Sequence, residues 1–262
     1  MSKLIKKGRD YVSINIKSGK EIELMRESGR ILANVLEELT AMVQPGISTL
    51  DIDKKCAEII QGYQCIPSFL NYNGYPASVC ISVNSEVVHG IPNKNRILRE
   101  GDIVSLDCGV IYQGFHSDAA RTVAVGEVSQ EARRLIEVTQ QSFYEGIKFA
   151  KQGHHLHEIS EAVQNYVEAH GYSVVRDLVG HGIGRNLHEE PQIPNFKQKR
   201  RGPRLEAGMT LAIEPMVNEG RYDVYWEDDD WTVVTADGSL SAHYENTLLI
   251  TDGEPELLTI KR

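Results

Sequence analysis

The chain has 262 residues, with 28 Lys and Arg against 37 Asp and Glu, a formal net charge of −9, 41% hydrophobic residues and 25% charged residues. A chain of this length buries roughly three-quarters of its unfolded surface in one or two domains, and its ordinary apolar content excludes a tail or linker protein. The acid excess argues against general nucleic-acid affinity, no apolar run is long enough to span a bilayer, and Cys56, Cys65, Cys80 and Cys108 form no CxxC pair, which argues against a disulfide framework or a zinc ribbon.

The Lys-rich start, MSKLIKKGRD, is not followed by a signal-peptide apolar region, so cytoplasmic residence is the default and residues 1–20 read as an N-terminal extension. Ser18 and Glu21 have capping-box spacing before EIELMRESGRILANVLEELTAMV, whose apolar residues recur at three and four, predicting a long helix that Pro45 and Gly46 end. A second helix opens at Thr49 and runs to about Tyr63. Strands follow through SVCISVN (78–84), IVSLDCGVIY (103–112) and FHSDAARTVAV (115–125), the last two joined by a hairpin turn at Gln113-Gly114. Residues 129–151 and 156–170 read as helices, and SVVRDLVGHG (173–182), MTLAIEPMV (209–217), WTVVTA (231–236) and SAHYENTLLIT (241–251) as strands. Helices segregated over a largely antiparallel sheet predict an α+β architecture.

The hairpin register places chemistry. If Tyr112 faces Phe115, then Gly109 faces Asp118 and Asp107 faces Ala120, so both aspartates share one face as diagonal neighbours. At about 4 Å and an effective dielectric near 20, two carboxylates repel by roughly 4 kcal/mol, so the pair either raises one pKa sharply or holds a cation. On the pair alone, a solvated hairpin face and a cation site are equally good readings; the apolar flanks favour burial.

REGDIVSLDCGV (99–110) and LEAGMTLAIEPMV (205–217) align at an offset of 107, matching Gly101 with Gly208, Leu106 with Ile213 and Asp107 with Glu214. At the same offset PGISTLDID (45–53) lies over QGHHLHEIS (152–160), and HSD (116–118) resembles HYE (243–245) at a different spacing. A duplicated supersecondary unit accounts for these matches, with halves at about 21–127 and 128–252. Each half then contributes two carboxylates: Asp107 and Asp118, Glu214 and Glu245. His181, in GHGIG, adds a nitrogen, its flanking glycines leaving the ring unshielded. A lone histidine is more often a hydrogen-bonded core or surface group, but beside four carboxylates it completes a ligand set for a hard cation. His89, in VVHGIP, is expected to be exposed by its turn; with His188, in LHEEP, it is a candidate proton donor beside the centre.

NGYPASVCISVNSEVVHGIP, EGDIVSLDCGVIYQGFHSDAARTV, GHGIG, HEEPQIPN, GMTLAIEPMVNEG and SAHYENT stand in an order and spacing that resemble type I methionine aminopeptidases, over nearly the whole chain beyond about residue 20. The resemblance implies the pita-bread fold, two pseudo-symmetric halves around a curved, mainly antiparallel sheet, as one catalytic domain (21–262). It implies two divalent ions drawn from Co, Mn, Fe or Zn, with Asp118 and Glu245 shared between them, Asp107 completing one and His181 with Glu214 the other. A metal-bridging water would attack the scissile carbonyl, with Glu214 as proton acceptor, His188 donating to the carbonyl oxygen and His89 contacting the scissile nitrogen. The methionine pocket would be built from Tyr72, Tyr75, Cys80 and Trp231, which on their own read as core residues. Nascent polypeptides that begin with Met and continue with a small residue are the implied substrates.

Leu187, Phe69 and His243 depart from the family's usual Phe, Cys and Gln; none removes a ligand. The carbonyls near Asn84 and Ser241 are a candidate site for a monovalent cation, and a monomer is the default oligomeric state. Transient ribosome association would use the basic run KQKRRGPR (197–204), through Lys197, Lys199, Arg200, Arg201 and Arg204, rather than the acidic WEDDD segment before Trp231; a solvated loop is the plainer reading of that run. No membrane role and no sequence-specific nucleic-acid partner are expected. Two other readings stand: an aminopeptidase P or prolidase-type enzyme, which shares fold and ligands but carries a large N-terminal domain, and an inactive pita-bread binding protein, in which ligands are lost.

Overall fold

The protein's structure is a computed structural model that describes residues 2–7 and 10–261. Its elements in chain order are β1 (Ser2–Lys7), β2 (Asp10–Asn15), α1 (Gly19–Met42), α2 (Thr49–Gly62), β3 (Ile66–Pro67), β4 (Val79–Val83), β5 (Glu86–Val88), β6 (Ile103–Tyr112) and β7 (Phe115–Ala124). The second half runs α3 (Gln130–Ile147), α4 (Leu156–Ala169), β8 (Ser173–Val174), β9 (Gly180–Gly182), β10 (Glu189–Ile193), β11 (Thr210–Ile213), β12 (Met216–Asn218), β13 (Val224–Trp226), β14 (Val233–Thr235), β15 (Ser241–His243), β16 (Asn246–Leu249) and β17 (Glu256–Leu257). Every registered strand pair among the described residues is antiparallel.

Helix α1 begins as its sequence dictates: Glu21 accepts hydrogen bonds from both the N–H and the hydroxyl of Ser18, each 2.9 Å. Its buried stripe, Leu32, Val35 and Leu39, packs with Ile52 and Ile60 of α2 onto Ile81, Leu106 and Val110 of the β4–β6–β7 sheet. Each fully buried Leu or Ile contributes about 1.5–3 kcal/mol, so this layer fixes the hairpin that carries the aspartates. The matching layer sets Leu135 and Val138 of α3 and Val163 and Val167 of α4 against Val217 and Ala242.

The internal repeat is structural. Helices α2 and α4 are both 14 residues long, and β6 and β11 begin at Ile103 and Thr210, all at the offset of 107 found in the sequence. The equivalent glycines share one left-handed conformation, Gly46 and Gly153 at φ 94° and Gly101 and Gly208 at φ 92° and 93°. Equivalent bonds recur: Gly46 N–H to Leu98 O at 2.8 Å and Gly153 N–H to Leu205 O at 2.9 Å, with bridges Ser48 to Ile97 and His155 to Arg204. The halves meet where Ala120 of β7 and Glu245 exchange both backbone hydrogen bonds, 3.3 and 3.0 Å.

Several boundaries differ from the sequence expectation. Within the segment read as an extension, Ser2–Lys7 and Asp10–Asn15 pair as the antiparallel strands β1 and β2; Lys-rich strands carry little β signal. SVVRDLVGHG divides into β8 and β9. MTLAIEPMV breaks at Glu214-Pro215, because a proline has no N–H for the ladder, and SAHYENTLLIT breaks opposite it, at Tyr244-Glu245. Ile213 pairs with Asn246 and Met216 with His243, so the two breaks face each other.

Candidate metal centre

The β6–β7 register places Asp107 opposite Ala120 and Asp118 opposite Gly109. Both carboxylates rise from one face, as the turn arithmetic requires. Gly109 is needed beside them: a Cβ there would lie 2.7 Å from Cβ of Ser68. Asp118 is pinned by Thr247, whose hydroxyl accepts from Asp118 N–H at 2.9 Å and donates to Asp118 O at 2.8 Å. Glu214 and Glu245 enter from the two facing strand breaks, and at the second of them Glu245 exchanges both backbone hydrogen bonds with Ala120 instead.

His181 lies on β9, paired with Ala212 and Gln192. The expected unshielded ring is in fact buried, at 6% exposure. The flanking glycines serve close backbone approach instead: a Cβ at Gly180 would meet Ala212 O at 2.5 Å and one at Gly182 would meet Glu190 O at 2.3 Å. The ring's Nδ1 bonds Gly182 O at 2.9 Å, so Nδ1 carries the hydrogen and Nε2 presents its lone pair. Nε2 stands 3.8 Å from Asp118 Oδ2 and 3.7 Å from Glu214 Oε1. These separations are too long for hydrogen bonds but suit donors arranged around a cation.

The electrostatics agree with such an occupant. Asp118, Glu214 and Glu245 have pKa values raised well above the ordinary carboxylate range, by burial first and by one another's charge second. Burial raises Asp107 to about 7, against a hydrogen bond with Asp118 that lowers it. His181 is pushed down to about 3 by burial and then by the charge of His188, which leaves a neutral imidazole. Asp107 Oδ1, Asp118 Oδ1 and Glu245 Oε1 are buried without a hydrogen-bond partner, and ligand atoms of Asp118, His181 and Glu245 lie within 4.8 Å of one another. Orphaned buried carboxylate oxygens are costly unless a cation meets them. One neutral imidazole among four carboxylates is a donor set for divalent first-row metals, so the residues fit the ions that the resemblance implies.

Above this floor opens a cavity of about 200 Å³. Tyr72, Tyr75, Cys80 and Trp231 line it, as do Phe69, Leu187, His89 and His188. Tyr75 stands edge-on to Trp231 at 5.1 Å and bonds Gly90 O at 2.9 Å. His89 is half-buried rather than exposed, held in a left-handed conformation at φ 61°, and burial then the charge of His188 lower its pKa to about 4. His188 sits at the mouth, its Nδ1 2.7 Å from the Tyr72 hydroxyl.

The cavity and its floor bring together the five expected ligands, His89, His188 and the four pocket residues, of which the last four were singled out by the resemblance alone; two supports were missed. Asn73 also lines the cavity, from a turn with φ 50°; the Asn-Gly dipeptide was its signal. Lys17 and Glu189 form a buried ion pair at 2.6 Å, both side chains 5% exposed, beside the segment that carries His188; nothing in the sequence pairs them.

A protein of Clostridium acetobutylicum named methionine aminopeptidase is 53% identical over 247 residues, 94% of this chain and 99% of that protein. Methionine aminopeptidase 1 of Bacillus subtilis is 49% identical, over 93% of this chain and 98% of its own length. The crystal structure of methionine aminopeptidase from Thermotoga maritima superposes with a TM-score of 0.93 at 46% identity, covering 95% of this chain and all of that one. A Xaa-Pro dipeptidase from Bacillus anthracis, at 23% identity and a TM-score of 0.76, shares the fold alone, and the match covers 62% of its length. The α+β pita-bread fold is thereby established, and the model of metallopeptidase family M24 matches residues 23–252, from α1 through both halves and every carboxylate of the centre: the chain belongs to that family.

Proposed function

We propose that this chain is a methionyl aminopeptidase, a metallo-exopeptidase that removes the N-terminal methionine of nascent polypeptides when the next residue is small. The observation that carries the reading is a single apolar cavity whose floor is a cluster of buried carboxylates with orphaned oxygens. Relatives that bear this name at 49–53% identity over nearly their whole length support it.

Asp107, Asp118, His181, Glu214 and Glu245 would hold two divalent cations drawn from Co, Mn, Fe or Zn. Cations bound there would lower the pKa of water toward neutrality and would polarise the scissile carbonyl. Glu214 accepts the attacking water's proton. Tyr72 donates its hydroxyl hydrogen to Nδ1 of His188, which leaves Nε2–H to donate to the carbonyl oxygen as charge develops there. His89 contacts the scissile nitrogen and assists its departure. Tyr72, Tyr75, Cys80 and Trp231 enclose the thioether, an apolar and polarisable group suited to an aromatic wall. Residues 21–262 act as one catalytic domain of two halves.

Ser241 N–H bonds Asn84 O at 2.9 Å, which brings together the carbonyl-bearing segments proposed for a monovalent cation. Ribosome association rests on the basic run, where Lys199, Arg200 and Arg201 are exposed, while Lys197 pairs with Glu161 and Arg204 with Gly153 O. No helix of the described residues is long and apolar enough to cross a membrane.

Turnover of Met-Ala-Ser against a Gly-Pro peptide, by protein stripped of metal and reloaded, tests the assignment. Met-Ala-Ser should be cleaved and the stripped protein should be inert; a Gly-Pro preference would place the chain with the prolidase-type enzymes that share its fold.

A further inference from the structure

His243 is 1% exposed, and neither of its ring nitrogens has a hydrogen-bond partner. Its Nε2 stands 3.8 Å from Glu214 Oε2 and 3.9 Å from Glu245 Oε2. Glu214 thus turns one oxygen, Oε1, toward His181 and the other toward His243. The ring is placed from its backbone: Thr122 Oγ1 accepts from His243 N–H at 2.8 Å and donates to His243 O at 2.9 Å, and Ser105 holds that threonine at 2.7 Å. A buried ring on a backbone held this firmly, facing two carboxylates from opposite strand breaks, is not filler.

We propose that His243 is a positioning residue of the metal centre, whose Nε2–H faces the outer oxygens of Glu214 and Glu245, donates to one of them and so aims that carboxylate's inner oxygen at the cations. The proposal rests on reading the carboxylate cluster as a metal centre. The contrast with His181 supports it. There Nδ1–H is committed to Gly182 O, which makes Nε2 a lone pair and hence a ligand. No acceptor holds a hydrogen on Nδ1 of His243, so the hydrogen goes to the nitrogen that two carboxylates face. The separations of 3.8 and 3.9 Å exceed a hydrogen bond, so the ring bonds whichever carboxylate pivots toward it when the inner oxygens are gathered. Donors that orient ligating carboxylates contribute about 10- to 100-fold in metal affinity.

The test uses manganese binding by calorimetry on the full chain, with His243→Leu, which keeps bulk and loses the donor, and His243→Gln, which keeps an amide donor. The Leu variant should bind Mn²⁺ about 10- to 100-fold more weakly and lose kcat on Met-Ala-Ser with KM little changed, while the Gln variant stays within about threefold of the parent. Equal binding by the Leu variant, or equal loss in both variants, would overturn the proposal. Failure of the parent to bind Mn²⁺ would instead overturn the metal-centre reading. Should the Leu variant not fold, ¹H–¹⁵N correlation of the histidine rings in the zinc-loaded parent decides the matter: an Nε2–H tautomer for His243 is expected, and an Nδ1–H tautomer or a metal-coordinated Nε2 refutes it.

Discussion

Asp107 and Glu245 stand on either side of Ala120: Asp107 is its cross-strand partner within the first half, and Glu245 exchanges both backbone hydrogen bonds with it across the seam. Three side chains of one row therefore share a face, and the middle one is a methyl group with no exposure. The space between the carboxylates exists because residue 120 is small. Ala120→Val should weaken divalent-metal binding more than it weakens the fold, with overpacking costing about 1–3 kcal/mol of stability and calorimetry reading a loss of Mn²⁺ affinity. Unchanged metal affinity would show that the ions lie away from this row.

The Tyr72 hydroxyl lies 2.7 Å from Nδ1 of His188, and in the proposed mechanism it donates there and keeps the ring's hydrogen on Nε2. Tyr72→Phe removes that control and leaves most of the apolar wall. On Met-Ala-Ser, kcat should fall roughly 10-fold, a part of the roughly 10²–10⁴-fold that a general acid–base group contributes, because His188 itself remains, with a smaller change in KM. A pure KM effect would reduce Tyr72 to a pocket wall.

How much of this was legible depends on what fixed each position. The Gln113-Gly114 turn sets one register for β6 and β7, and a register determines which side chains share a face, so Asp107 and Asp118 could be paired from sequence alone. Glu214 followed from the 107-residue offset. The strand break at Glu214 had a visible cause in Pro215; the facing break at Glu245 had none, because it answers the first across the sheet. His181 misled: glycines beside a histidine read as an exposed turn, whereas close approach of Ala212 and Glu190 backbone oxygens is what requires them. The β1–β2 hairpin is a local pairing whose Lys-rich strands carry little β signal, whereas the Lys17–Glu189 pair joins segments far apart in the chain, and no local pattern reports such a contact.

That ion pair gives a pH prediction. Burial acts on Glu189 first and raises its pKa, but the hydrogen bond and charge of Lys17, with Asn15 and the Asn186 N–H, outweigh it and leave the carboxyl below its ordinary 4.5. For Lys17, burial outweighs the same contact and lowers the ammonium from 10.5. A depressed carboxyl stabilises the fold above its unfolded value and loses that contribution as pH falls through the folded one. The lowered lysine works the other way, its cost shrinking as pH rises toward 10.5. Lys17→Met strands the buried carboxylate and should cost about 3–5 kcal/mol at neutral pH. In denaturant melts the deficit should narrow as pH falls from neutral to below 4.5, first as the variant's stranded carboxyl takes up a proton and then as the parent's depressed one does; a deficit independent of pH would mean that Lys17 acts by packing.

The acidic segment before Trp231 has a local task that its charge concealed. Asp229 Oδ1 accepts from the N–H groups of Trp231 at 2.8 Å and Thr232 at 2.7 Å, and Oδ2 accepts from the Thr232 hydroxyl at 2.6 Å. Hydrogen bonding to the turn holds its pKa below the ordinary value against the upward pull of burial. The turn sets the indole edge-on to Tyr75, so an exposed aspartate fixes one wall of the cavity. Asp229→Ala frees two N–H groups and lets Trp231 move. Lost turn caps of this kind cost about 0.5–2 kcal/mol, and here part of that cost should appear in binding: KM for Met-Ala-Ser rises several-fold, Mn²⁺ affinity stays at the parent value, and Trp231 fluorescence becomes more accessible to quenchers. Glu227→Ala and Asp228→Ala, whose side chains do not hold the turn, serve as controls; an equal rise in KM in either would trace the effect to the net charge of the segment, not to the position of Trp231.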